Sequence, residues 1–108
     1  MIDWGRVREL QSEIGLDCFD EIVALFLEES DDVVARLQVQ TDPASLESSL
    51  HFLKGSALNL GFSDLAQICQ NGERQAAQGV VDIAVDAVID IYQQSRIAFL
   101  GGIETCAV

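Results

Sequence analysis

Apolar residues recur along nearly the whole chain at intervals of three and four, the spacing of helices that bury one face. Val7, Leu10 and Ile14 mark a first segment over about Asp3 to Glu13, which Gly15 breaks. Phe19, Ile22, Val23, Phe26, Val33, Val34 and Leu37 predict a second, from about Asp17 to Gln38. Thr41-Asp42-Pro43 reads as a helix start, with Asp42 as N-cap and Pro43 in the first turn. That third helix should run to about Leu60 and stop at Gly61, a natural left-handed position. Ser63 can cap a fourth, carrying Leu65, Cys69, Gly72 and Ala76 before Gly79. Asp82 can cap a fifth, with Ala84, Val88, Ile91, Ser95 and Ala98 along its stripe and Ile83 and Ala87 beside it. Gly101 and Gly102 should end it, leaving Ile103–Val108 as a frayed tail.

Short connections between long helices place successive helices antiparallel. The fold expected is therefore all-α: an antiparallel up-down four-helix bundle with a short additional N-terminal helix across one end. The 108 residues suffice for one domain, with a core over about 2–99 and a flexible tail over 100–108.

Hydrophobic residues make up 49% of the chain, enough for a core. Its formal charge of −12 opposes binding to nucleic acid or to anionic lipid, both of which need a positive footprint. Cys18, Cys69 and Cys106 form no short-spaced motif, and the first two should be buried small hydrophobes. The first residues carry no apolar signal core, and no run of about 18 apolar residues occurs. A soluble cytoplasmic protein is the expectation.

The one histidine, His51, falls on the third helix. There Leu46, Leu50, Leu53, Ala57 and Leu60 share a narrow arc, and His51 lies roughly 140° from its centre. A buried structural role is thus disfavoured. Ala44, Ser48, His51, Gly55 and Leu58 form an outer series of their own. Gly55 costs a helix about 0.5–1 kcal/mol relative to alanine, and close approach of another molecule would offset that. Leu58 and Phe62 would then supply an apolar docking patch beside the histidine. Between Ser48 and Ser63 there is no acidic residue, and Lys54 is the only formal charge. An arriving phosphoryl group of about −1.5 to −2 charges would meet that lysine.

His51-Phe52-Leu53-Lys54-Gly55-Ser56-Ala57-Leu58-Asn59-Leu60-Gly61 closely resembles the signature of histidine-containing phosphotransfer (HPt) domains, HxLKGSxxxLG. Asp3-Trp4, Phe26-Leu27-Glu28, and Leu65, Cys69 and Glu73 also look like that family's framework, so the resemblance spans about Ile2 to Ala98. It implies a phosphorylated histidine at His51, a positive neighbour at Lys54 and clearance for a partner at Gly55. The resemblance also implies that Glu73, on the next helix, accepts a hydrogen bond from the imidazole. One departure is Gly72, where a larger apolar residue is common.

Through this resemblance, the expected chemistry is nucleophilic attack by a neutral imidazole nitrogen on a receiver's aspartyl phosphate, followed by transfer to another receiver aspartate. Mg²⁺ would sit on the receiver, and the chain itself should need no cofactor or metal. No Gly-rich ATP-binding motif is present, so a phosphocarrier is expected rather than a kinase. Expected partners are response-regulator receiver domains and a hybrid or other sensor histidine kinase, met by a monomer. Two other readings compete: a receiver-binding module that carries no phosphate, and a helical structural subunit.

Overall fold

The computed structural model describes residues 2–39, 42–80 and 83–106. Thr41 and the Asp82 cap lie outside them, as do Ala107 and Val108 of the tail. Five α-helices follow one another: α1 Trp4–Ile14, α2 Leu16–Leu37, α3 Pro43–Leu60, α4 Ser63–Ala77 and α5 Val85–Cys106. Among the described residues, the only extended pairing is an isolated bridge between Ile2 and Phe62.

Local chemistry sets most of the helix ends. The Asp3 carboxylate accepts from the Arg6 amide at 3.2 Å and starts α1. Gly15, at φ +81°, separates α1 from α2. Asp42 caps α3 by accepting from the Ser45 amide at 3.2 Å, with Pro43 in the first turn. Gly61 ends α3 in the left-handed conformation at φ +80°. A Cβ there would stand 2.6 Å from the Asp3 carbonyl oxygen, so both the turn and the crowding require glycine. The Asp3 amide donates to the Gly61 carbonyl at 2.7 Å and ties the start of the chain to the end of α3.

The expected core face of α3 is buried throughout: Leu46, Leu50, Leu53, Ala57 and Leu60. It packs chiefly on α4 and also on α2, while α1 lies against α2 and α3, and α5 against α4. From α2 the core takes Phe19, Val23, Leu27, Val33, Val34 and Leu37. The α1 end is closed by an aromatic cluster. Trp4 stacks on Phe99 with centroids 6.1 Å apart, and Phe62 meets Phe99 edge-on at 5.3 Å.

Four expectations are corrected. Cys18 is exposed, because the buried face of α2 runs through Phe19 and Val23 instead. Ser63 is the first residue of α4, and Phe62 occupies the cap position without a side-chain cap bond. On α5 the buried stripe is Val88, Tyr92, Ser95 and Phe99, whereas Ala87 and Ala98 are exposed and Ala84 precedes the helix. Finally, α5 continues through Gly101 and Gly102, and Ile103 packs against the core. A Cβ on Gly102 would collide with the Trp4 ring, so this glycine admits a neighbour rather than ending the helix.

A polar clasp joins α2 to α5. Tyr92 donates its hydroxyl to Asp31 at 2.5 Å, and Arg96 grips both oxygens of Asp31 at 3.2 Å. Burial, above all, pushes the Tyr92 phenol well above its usual range, so it stays a donor.

Candidate functional site

Halfway along α3 the chain turns its one histidine outward. The His51 side chain is 69% exposed, and Ala44, Ser48, Gly55 and Leu58 are exposed on the same helix. A Cβ on Gly55 would meet nothing within 4 Å, so no internal packing demands the glycine. The expected docking residue Phe62 is different: it is 1% exposed and belongs to the aromatic core. The left-handed turn at Gly61 breaks the helical phase between Leu58 and Phe62, which turns the ring inward.

The close packing of α4 on α3 brings Glu73 to His51 across 22 positions of sequence. Its Oε1 stands 2.6 Å from His51 Nδ1, and its Oε2 stands 2.8 Å from Lys54 Nζ. One carboxylate thus holds both groups, each through its own oxygen. Chiefly, the bond from Lys54 lowers the Glu73 carboxyl below the usual carboxylate range; partial burial opposes this, and His51 adds to the lowering. An ionised carboxylate has no proton to donate. The contact therefore puts hydrogen on Nδ1 and, in the neutral ring, leaves the free lone pair on the solvent-facing Nε2.

Lys54 is consequently not a free cation waiting beside the histidine. It is three-quarters buried and already paired with Glu73. Nor is the surface around the ring free of acid, as the sequence window suggested. Glu47, Ser48, His51 and Glu73 line one open hollow, so two carboxyl groups flank the imidazole. Glu47 sits one residue outside the acid-free window, and helical spacing four positions before His51 was the signal for it. A groove between α2 and α3, lined by Arg36, Ser48 and Phe52 among others, adjoins the hollow through Ser48.

Two features of α4 support the pair from behind. Cys69, one turn before Glu73, is fully buried, and burial pushes its thiol up to about 12, so it packs without reacting. Gly72 is buried as well, facing Leu50. Among the described residues, no group of three or more His, Cys, Asp or Glu could hold a metal ion.

The site is thus one exposed imidazole on a helix, held by a carboxylate from the neighbouring helix of an all-helical chain. The family model of the Hpt domain matches residues 21–97, which include α3, α4 and the His51–Glu73 pair. The chain belongs to the Hpt domain family. Hpt domains act in phosphotransfer in two-component signalling, with receiver domains and kinases as partners, and are carriers rather than kinases. No curated protein and no solved structure matches the chain. No helix of the described residues is long and apolar enough to cross a membrane.

Proposed function

We propose that this protein is a phosphocarrier in which His51 accepts a phosphoryl group from one receiver-domain aspartate and delivers it to another. The observation that carries this reading is the 2.6 Å contact between Glu73 Oε1 and Nδ1 of the exposed His51. It leaves Nε2 with its lone pair facing a partner. In the acceptance step the Nε2 lone pair attacks phosphorus. The N–P bond forms as the bond from phosphorus to the aspartyl oxygen breaks, and its electron pair returns to the receiver's carboxylate. The positive charge that develops on the ring faces Glu73. Delivery to the next aspartate is the same displacement in reverse, so one geometry serves both directions.

Phosphoryl transfer depends mostly on alignment and charge neutralisation. Glu73 supplies alignment, and Lys54, bound to the same carboxylate, offsets part of its negative charge. With Glu47 also near the ring, most of the neutralisation must come with the partner, as Mg²⁺ held in the receiver's acidic pocket. This chain then needs no metal or cofactor of its own. Ala44, Ser48, Gly55 and Leu58 form the surface that the receiver covers, with a sensor kinase, hybrid or otherwise, at the head of the relay. We read the helices as an antiparallel up-down four-helix bundle of α2 to α5 capped by α1, acting as a cytoplasmic monomer.

The test is incubation with a phosphorylated receiver domain from the same organism, followed by a search for acid-labile, alkali-stable phosphate on this chain. The proposal expects such label, passed on when a second receiver is added. Stable complex formation with no transferred phosphate would instead identify an interaction module that blocks receivers.

A further inference from the structure

Gly72 departs from the larger apolar residue expected before the glutamate, and its surroundings are specific. It lies inside α4, buried against α3. A Cβ there would stand 3.0 Å from Leu50 Cδ1, 3.4 Å from Ile83 Cγ2 and 3.7 Å from Leu50 Cδ2. Leu50 is fully buried, so its methyl groups cannot retreat into solvent. The two residues in this contact are the chain neighbours of the functional pair: Leu50 precedes His51, and Gly72 precedes Glu73.

We propose that Gly72 is a positioning residue: by lacking a side chain, it lets α4 approach Leu50 of α3 closely enough for Glu73 to reach His51 and Lys54. Mid-helix glycine is a poor helix former, so its presence at a buried helix contact is explained by the approach it permits. Adding a methyl group forces Leu50 to shift by a few tenths of an ångström or moves the helices apart. The hydrogen bonds one residue further along measure 2.6 Å and 2.8 Å, and they weaken when the helix spacing grows. The consequence for transfer rests on the phosphocarrier reading, whereas the consequence for the side chains does not.

The experiment follows the ring nitrogens of His51 by ¹⁵N NMR in unphosphorylated protein, as the chain's one histidine gives an isolated signal. Glu73→Gln provides the signature of an imidazole without its charged partner. Gly72→Ala is expected to move the wild-type nitrogen shifts toward that signature. It should also slow transfer at saturating phosphoreceiver about three- to tenfold, because alignment rather than docking is disturbed. Adding Leu50→Val, which removes both crowding methyl groups, should return both readouts toward wild type. Should Gly72→Ala alone fail to fold, the double variant decides: wild-type ring shifts support the proposal, and Glu73→Gln-like shifts overturn it. A folded Gly72→Ala protein with unchanged ring shifts overturns it too, as does a change that Leu50→Val does not reverse. Altered and rescued shifts in a protein that accepts no phosphate would sink the phosphocarrier reading and leave the spacing role standing.

Discussion

Glu73 and His51 are joined by a 2.6 Å contact between Oε1 and Nδ1, while the other oxygen of the same carboxylate holds Lys54 at 2.8 Å. The histidine is exposed and the carboxylate mostly buried, so orientation comes from the protein interior and reactivity faces solvent. Two helices contribute to this arrangement, which makes it sensitive to both charge and helix spacing.

The first consequence is a dependence of stability on pH. The folded-state pKa of Glu73 is lowered, mainly by Lys54. The stabilisation this represents is fully present above the unfolded-state value of about 4.3 and is lost as pH falls through the depressed folded value. Glu73→Gln removes this contribution. Urea denaturation between neutral and acid pH should therefore show a shallower acid loss in the variant than in wild type. Parallel curves would mean that the Lys54–Glu73 contact is absent in solution.

Lys54→Ala should leave the helices intact and slow phosphotransfer by about two- to fivefold, the scale of a partly screened charge contact. The lysine acts through Glu73 as well as on incoming charge, so the defect should shrink as salt rises. Transfer rates at low and high ionic strength check this. A rate equal to wild type at low salt would take Lys54 out of the site.

At Gly55 stability and function should move apart. Open space surrounds the position, so Gly55→Ala should stabilise the isolated protein by up to about 1 kcal/mol through helix propensity. Gly55→Gln should also fold, yet its side chain would fill the space beside His51 that a receiver must enter. Thermal unfolding together with receiver-binding titrations tests both halves. A Gln variant that binds and transfers like wild type would show that no partner approaches there.

Much of α3 was legible in the sequence because strong local signals bound it: Asp42 and Pro43 at its start and Gly61 at its end, with the apolar stripe of Leu46, Leu50, Leu53, Ala57 and Leu60 between. The outward direction of His51 followed from that stripe. Helical phase carried across Gly61 points Phe62 outward, whereas the left-handed turn resets direction and buries the ring. The burial of Tyr92 depends on its hydroxyl being satisfied by Asp31, 61 positions away, and no local pattern announces such a partner. Gly101 and Gly102 have the composition of a stop, yet packing on Trp4 overrides it. For Glu73, periodicity alone could not supply the pairing with His51, which depends on how α4 lies against α3. Only the family resemblance pointed there.

The central claim, that His51 is where the phosphoryl group rests, is tested most directly by His51→Gln. The side chain is 69% exposed and outside the core, so the variant should keep the helical spectrum and near-wild-type stability. Wild-type and variant protein are incubated with the same phosphorylated receiver, and phosphate bound to this chain is quantified. The account predicts acid-labile label on the wild type and none on the folded variant. Equal labelling of both would contradict it.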